Sequence, residues 1–244
     1  MGKRRRSLTG VVSAKQLAEV EGVTYGHALN TLSRLKKNGL ARRIGRGLYA
    51  EGVASNKTLD ITPALRRVAR ILSAQFPAVD PVVFSTAQVA TLMHNMPLKE
   101  IIVVEVPRSL TGDVARALSA QGVPAQSVLT AEDMNQLVNL PGDLVVAVLP
   151  IGDIRASHRQ LGVRVASPER ILVELFINRT RVGLPIYEQD VFEVGKSLLA
   201  DYDFSISRAL DYASRRGARD ETALLLKRLI RTDKRLHPFE RAIA

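Results

Sequence analysis

The stretch NTLSRLKKNGLARRIGRGLYA, residues 30–50, decides what the first part of the chain is able to form. It begins as the second half of an amphipathic helix, and Gly39 stands in the position that commonly follows a helix end. Two short apolar-basic strands come next, Leu40–Ile44 and Leu48–Ala50, with Gly45-Arg-Gly47 as the turn between them. The stretch therefore predicts a helix followed by a β-hairpin.

An earlier helix precedes this one, and a tight turn separates the two. Ser13 followed three residues later by Gln16 predicts a capping box, which opens a helix that ends at Gly22. Thr24 is a suitable N-cap for the next helix, which runs to about Asn38. Helix, turn, helix and hairpin in this order predict a DNA-binding winged helix-turn-helix.

The 3.6-residue period of the second helix separates an apolar stripe from a polar face. Ala28, Leu32 and Leu35 form the stripe. The polar face, its shoulder and the N-terminal end of the helix carry groups that read base edges or bind phosphate. The candidate DNA contacts on this helix are Thr24, Tyr25, His27, Asn30, Thr31, Arg34 and Lys37. Such a face is common in helices, so it does not by itself establish DNA binding.

Positive charge is concentrated in the same part of the chain. Residues 1–50 hold eleven Lys and Arg against two acidic residues, a net charge of +9 out of the total of +11. Cations that neutralise phosphates release condensed counterions, so a small and strongly basic module suits a polyanion. Anionic lipid is the competing polyanion, and a merely solvated surface is the third interpretation.

The hairpin and the N-terminus add further candidate DNA contacts. Arg46, at the predicted tip, is placed to enter a minor groove or to meet the backbone. Two strand residues and an N-terminal arm complete the set, namely Arg42, Arg43, Arg4, Arg5 and Arg6. We interpret Arg42 and Arg43 as phosphate contacts. The N-terminal arm is interpreted either as a minor-groove contact or as a nonspecific tail.

Residues 22–50 resemble the winged helix at the front of AbiEi-type antitoxins, above all in RIGRGLY at residues 43–49. The segment SPERILVEL, residues 167–175, is similar to a helix-opening segment midway through such proteins, so the resemblance spans most of the chain. It implies a protein that represses its own promoter by binding inverted repeats in double-stranded DNA. It also implies a partner, a nucleotidyltransferase-like toxin that the protein neutralises.

One feature departs from the family pattern. A winged helix usually has a first helix ahead of the capping box, yet only about a dozen residues precede Ser13, and Gly10 interrupts them. Either that helix is very short, or the helix that begins at Thr62-Pro63 packs in its place.

We predict two domains, residues 1–55 and 56–244, joined by a linker without apolar periodicity. Thr62 caps and Pro63 opens a connecting helix that ends near Gln75. Beyond it, apolar runs of strand length alternate with helical patterns, and the chain becomes wholly helical from Ser167. The predicted fold class is α+β, a winged helix-turn-helix followed by a larger mixed α/β domain with a helical C-terminal part.

The expected strands of the larger domain are continuous apolar runs, as in buried sheets. They are Val82–Phe84, Ile101–Val106, Leu144–Leu149 and Val163–Val165. The expected later helices are Val191–Leu199, Ile206–Arg215 and Thr222–Ile230, with Gly183, Gly195 and Gly217 as breaks.

The sequence offers no constellation that catalysis requires. Its four histidines lack metal-binding spacing, and it has neither a phosphate-binding glycine motif nor a dinucleotide fingerprint. The tetrads Ser85-Thr-Ala-Gln88 and Thr130-Ala-Glu-Asp133 are typical of helix caps rather than of nucleophile elbows. We therefore expect a protein that is not an enzyme and has no cofactor or metal.

A magnesium-dependent nuclease is the alternative from another class, with Glu105 at a strand end as the metal-binding acid. Against it, Pro107 stands where a nuclease of the restriction type has Lys. The glutamate of the 167–175 segment has a structural explanation, in which Ser167 caps, Pro168 opens the helix and Glu169 complements its positive end.

The composition excludes further classes. The absence of cysteine excludes disulfides and thiolate metal sites, and no apolar run of 18 residues is present to span a membrane. No apolar core follows the basic start, so no secretion signal is indicated, and we expect a cytoplasmic protein. The sequence favours a DNA-binding autorepressor and antitoxin, with a targeted nuclease or a ligand-responsive repressor as alternatives, and it leaves the oligomeric state open.

Overall fold

The structure, a computed structural model, describes residues 11–45, 47–51, 57–95 and 97–243. In these ranges the chain is an α+β protein with two separate sheets, one of three strands and one of six. The α+β class predicted from the sequence is thereby confirmed.

The first sheet and two helices are formed by the N-terminal fifth of the chain. Their bounds are β1 (Val11–Ser13), α1 (Ala14–Glu21), α2 (Tyr25–Lys37), β2 (Ala41–Gly45) and β3 (Leu48–Glu51). The strands are antiparallel in the order β1-β3-β2, so the hairpin strand β3 lies in the centre. The sequence predicted both helices and the hairpin but not β1.

The caps that set these helices are those that the sequence predicted. Ser13 Oγ accepts the backbone N–H of Gln16 at 3.0 Å, and the Gln16 side chain accepts that of Ser13 at 3.0 Å, which completes the capping box. Gly22 follows α1 with φ 64°, in the left-handed region that glycine adopts without strain. Thr24 Oγ1 accepts the N–H of His27 at 3.3 Å and caps α2.

A small apolar cluster holds α1 and α2 on one face of this sheet. Its buried members are Ala14, Leu17, Ala28, Leu32 and Tyr49. Val20, which lies one turn after Leu17 on the same side of α1, is 72% exposed. The apolar contact of α1 is therefore limited to its first two turns.

The second sheet contains six strands of mixed direction. Their bounds are β4 (Val82–Ser85), β5 (Glu100–Val106), β6 (Ala125–Ser127), β7 (Leu144–Pro150), β8 (Ser157–Gln160) and β9 (Val163–Ala166). The order is β6-β7-β5-β4-β9-β8, in which β4 is antiparallel to β5, β8 is antiparallel to β9, and the other neighbours are parallel. All four strands that the sequence predicted are present, and β6 and β8 are additional.

In the described ranges of the chain, eight further helices surround this sheet. They are α3 (Pro63–Gln75), α4 (Thr111–Ala120), α5 (Ala131–Val138), α6 (Pro168–Arg181), α7 (Glu188–Asp201), α8 (Ile206–Arg215), α9 (Arg219–Thr232) and α10 (Glu240–Ile243). Short 3₁₀ turns occur at Thr86–Gln88, Ala90–Leu92, Arg108–Leu110 and Lys234–Phe239. The two tetrads interpreted as caps are confirmed as capping boxes, at the first of these 3₁₀ turns and at α5.

Helices cover both faces of the larger sheet, which explains the continuous apolar runs of its central strands. Along β5, Ile101 and Val103 point into one core, and Ile102 and Val104 into the other. Helices α3 and α4 cover the second of these faces, whereas α5 to α9 contribute to the first.

Helix α3 bears on the two alternatives that the sequence left open for the first helix of the N-terminal unit. Its residues Leu65, Val68 and Leu72 are fully buried on the larger sheet, in the cluster with Val83 and Ile102. Because the apolar face of α3 packs on the larger sheet, this face cannot also pack on the first sheet. The helix at residues 63–75 therefore does not replace a first helix of the N-terminal unit.

The first sheet packs its remaining face on the C-terminal helices. Ile44 and Ala50 belong to the same apolar core as Leu236 and Phe239. A Cβ added to Gly45 would lie 3.3 Å from Cβ of Ala242, so the strand approaches this region closely. Apolar contacts therefore connect the two predicted domains, and the boundary between residues 55 and 56 stays a prediction.

Gly195 was predicted to break a helix, and this prediction is wrong. It lies inside α7, where an added Cβ would stand 2.6 Å from Cδ1 of Leu229, so its small size lets α7 pack closely on α9. Gly183 and Gly217 do follow helices, with φ of 68° and 64°.

Candidate nucleic-acid interface

One face of α2 is directed to solvent over most of its length. Ala28 and Leu32 are fully buried on the opposite side, so the period fixes which residues face outward. The predicted contacts that are exposed on this helix are Tyr25, His27, Asn30, Arg34 and Lys37, and Thr31 is half-buried. The structure thus places His27, Asn30, Arg34 and Lys37 on one accessible surface, which we call the α2 face. Tyr25 is exposed at the N-terminal end of the helix, in line with Ala28 and Leu32 rather than on this face.

The α2 face carries hydrogen-bond donors and acceptors, and an aromatic ring is exposed at the start of the helix. Tyr25 is 56% exposed in the first turn. Thr24 is also exposed, although its hydroxyl oxygen already accepts from the backbone of His27. No acidic residue occupies the first turn of α2, so the positive end of the helix dipole is not neutralised there. An anion is therefore favoured at this end.

Arg43 extends the basic surface onto β2. Its side chain is exposed, and its Nε donates to the carbonyl oxygen of Gly45 at 3.2 Å. Beside it, Lys36 Nζ forms an ion pair with Asp203 Oδ2 at 3.2 Å. Asp203 and Asp211 share a cleft of about 320 Å³ with Lys36 and Arg43. These carboxylates set the limit of the basic surface on this side.

Arg42, predicted to contact phosphate, is instead a buried structural residue. Its side chain is inside the protein, where Nη1 donates to the carbonyl oxygen of Ala200 at 2.7 Å and Nη2 donates to that of Leu199. The guanidinium also lies over the ring of Phe239, 4.8 Å from its centroid. Burial lowers the pKa of Arg42 to about 10, although Asp203 opposes the shift. A phosphate does not reach this group.

The alternation of a β-strand explains this correction. Successive side chains point to opposite faces, so Arg42 and Arg43 could not both face outward. The alternation can be read from the sequence, but it does not say which of the two arginines is buried. The carbonyl oxygens of α7 that bind Arg42 belong to residues 157 and 158 positions further along the chain. The other predicted contacts, Arg4, Arg5, Arg6 and Arg46, lie outside the described residues.

Glu105, on which the nuclease alternative depends, is buried in an ion pair. Its Oε2 accepts from Nε and Nη2 of Arg170 at 3.0 and 2.7 Å, and both side chains are at most 1% exposed. Arg170 uses its remaining Nη1 on the carbonyl oxygens of Asp153 and Arg155, at 2.6 and 2.8 Å. The carboxylate of Glu105 is therefore buried in the core, where it is not accessible to a metal ion from solvent.

A second buried carboxylate lies close to this pair. Glu174 accepts from the hydroxyl of Tyr212, from Arg216 Nε at 2.8 Å and from Asn178 Nδ2 at 2.9 Å. Burial, and then the charge of Glu174, raise the pKa of Glu105 to about 8. Among the described residues no group of three or more His, Cys, Asp and Glu is arranged to hold a metal ion.

The 167–175 segment also differs from its predicted role. Ser167 stands at the N-cap of α6, but its side chain makes no capping bond, and its hydroxyl is buried without a hydrogen-bond partner in the described structure. Glu169 is fully buried, and its Oε1 accepts from Ser205 N at 2.8 Å and from Arg208 Nη2 at 2.7 Å. Glu169 thus fixes the start of α8, and Arg170 fixes β5. Local spacing carries no information about these distant partners.

Two findings place the chain among known proteins. It is an α+β protein with an exposed polar helix face beside a small antiparallel sheet. By sequence it belongs to a family of unknown function, DUF6577, whose pattern matches residues 28–232. No curated protein matches the chain. None of the helices in the described ranges is long and apolar enough to cross a membrane.

Proposed function

We propose that this chain is a DNA-binding protein whose N-terminal fifth is a winged helix-turn-helix, with α2 as the recognition helix. The observation that carries the proposal is the α2 face, which presents His27, Asn30, Arg34 and Lys37 to solvent, with Tyr25 exposed at the start of the same helix. Amide, imidazole and guanidinium groups bind base edges and phosphates, and a helix of this width enters a major groove.

The order of elements supports the same assignment. Helices α1 and α2 are separated by the short turn 22–24, and the hairpin of β2 and β3 follows and pairs with β1. In the proposed domain the hairpin is the wing, and exposed Arg43 is its phosphate contact. Residues 1–10, which precede β1, lie outside the described residues. The C-terminal helices cover the other face of the sheet.

We further propose that the protein is a transcriptional repressor of its own promoter and an antitoxin. The support for this role is the likeness of residues 22–50 and 167–175 to AbiEi-type antitoxins, together with the basic charge of the N-terminal fifth. In this role α2 binds inverted repeats, and the larger part of the chain meets a nucleotidyltransferase-like toxin.

The decisive experiment measures binding of the full chain to the DNA upstream of its own gene at near-physiological salt. We expect an affinity at least 1,000-fold above that for random duplex, as specific DNA-binding proteins show. Equal affinity for the two duplexes would overturn the proposal of specific recognition. The antitoxin role is tested separately, by co-expression with the product of the adjacent gene, which should restore growth if that product is toxic.

The two alternatives from the sequence differ in their structural support. The nuclease requires Glu105 at an accessible metal site, and the buried ion pair with Arg170 weighs against it. A repressor that responds to a small ligand is favoured by a cavity of about 640 Å³ in the larger part of the chain. Its test is release of promoter DNA by the ligand without any toxin present.

A further inference from the structure

A cavity of about 640 Å³ lies at the amino end of β5, away from the α2 face. It is bounded by residues on either side of position 96, by the C-terminal end of α5, and by the loop between α6 and α7. Its apolar lining includes Met93, Leu98, Ile101, Val138, Leu184 and Ile186. The volume lies in the range of about 300–1,000 Å³ that is typical of small-molecule sites, which are mainly apolar with a few polar groups.

Asp190 is an acidic residue among those that line this cavity. It stands in the first turn of α7 and is 1% exposed. Its Oδ1 accepts the backbone N–H groups of His94 and Asn95, at 3.0 and 2.9 Å, and so fixes the preceding loop. Its Oδ2 receives only a long contact of 3.5 Å from Asn95 Nδ2. One oxygen of the carboxylate is thus held well and the other is not.

Asp190 has no ion-pair partner within 4.0 Å in the described parts of the chain, unlike the other buried acids Glu105, Glu169 and Glu174. Lys99 also lines the cavity, but its ammonium group donates to the carbonyl oxygen of Leu140. Buried carboxylates are normally paired with a cation, because desolvation of the charge costs free energy. The N–H bonds and the start of α7 offset that cost only in part.

We propose that this cavity binds a small apolar molecule that carries an ammonium group. The ammonium lies against Oδ2 of Asp190, and the hydrocarbon part lies against Val138, Leu184 and Ile186. Tyr187, at the rim, is 70% exposed, so its ring is free to cover the bound molecule. The site uses no residue of the α2 face. The proposal of a ligand site can therefore be tested independently of the proposal of DNA binding.

The first test compares three phenylalkyl probes of similar size on the full chain by calorimetry or ligand-observed NMR. The probes are 2-phenylethylamine, the neutral 2-phenylethanol and the anionic 3-phenylpropionate. We expect the amine to bind at least tenfold more tightly than either of the others. Equal binding of the three, preference for the anion at Lys99, or no binding of the amine at millimolar concentration would each overturn the proposal.

The second test assigns the charge. Asp190→Asn keeps an acceptor for the N–H groups of His94 and Asn95 but removes the charge, so amine affinity should fall at least tenfold. Asp211→Asn, on an exposed residue of α8, is the matched control for net charge and should leave affinity unchanged. If Asp190→Asn fails to fold, Val138→Phe decides, since it fills the cavity and leaves the carboxylate in place. If Asp190→Asn or Val138→Phe folds and binds the amine with unchanged affinity, the proposed site is contradicted.

Discussion

Arg42 donates from Nη1 to the carbonyl oxygen of Ala200 at 2.7 Å, which ties the hairpin strand β2 to the C-terminal end of α7. The ion pair of Lys36 with Asp203 adds a contact from α2 to the residues that follow this helix. Asp190 lies at the other end of α7. A single helix therefore connects the proposed DNA-binding unit with the cavity of the larger sheet.

Arg42→Ala should destabilise the protein rather than remove a DNA contact. The change leaves two buried carbonyl oxygens without their donor and removes the packing on Phe239, at a cost of about 1–3 kcal/mol. Urea unfolding measures the loss, and the salt dependence of DNA binding should stay the same.

Arg43→Ala is the matched control, because this neighbour in the same strand is exposed. Its free energy of unfolding should change by less than about 0.5 kcal/mol. Its DNA affinity should fall, and the salt slope should drop by about 1, as for the loss of one phosphate contact. A stable Arg42→Ala protein with a reduced salt slope would show that the buried position is wrong.

Two residues of the α2 face should affect DNA binding in different ways. Asn30→Ala should cost about 1–3 kcal/mol on the preferred site and little on random duplex, because an amide reads base edges. Lys37→Ala should weaken binding to both duplexes alike and lower the salt slope by about 1. Titrations of both variants at several salt concentrations test this. The same pattern for both variants would contradict the assigned roles.

Arg170→Ala should be among the most destabilising single changes in the chain. Arg170 makes four hydrogen bonds in the core, to Glu105 and to two backbone carbonyl oxygens. Breaking a buried pair from one side typically costs about 3–5 kcal/mol. Arg116→Ala removes an ion pair with Asp113 that is largely exposed, and should cost less than about 1 kcal/mol. Equal losses in the two variants would contradict this account.

Stability should decrease as the pH rises through neutrality, because of Glu105. Its folded pKa of about 8 lies above the reference value of 4.5, so between these values the folded protein keeps a proton that the unfolded chain has lost. The hydrogen bonds from Arg170 then reach a neutral carboxyl, and the contact becomes a full ion pair only above about pH 8. One such proton lowers the free energy of unfolding by at most about 1.4 kcal/mol per pH unit. Chemical unfolding between pH 5.5 and 8 should show a steeper decrease for the natural protein than for Glu105→Gln. Parallel slopes would refute the assignment to Glu105.

Features that depend on neighbouring residues could be predicted from the sequence. The caps at Ser13 and Thr24, the end of α1 at Gly22 and the four buried strands all follow from spacing and hydrophobic period. The exposed side of α2 follows in the same way, because Ala28 and Leu32 fix the buried side. Short strands such as β1 and β6 were missed, since three residues carry too little periodicity to detect.

The sequence by itself determined the local elements of this protein, because a helix cap or an alternating strand is set by residues within a few positions of each other. Tertiary structure alone decided which polar groups are buried. Arg42, Glu105 and Glu169 appear in the sequence as ordinary charged residues, but each bonds to a partner 36 to 158 residues away. Burial is a property of the packed chain, and it separated the structural arginine at position 42 from the exposed one at position 43.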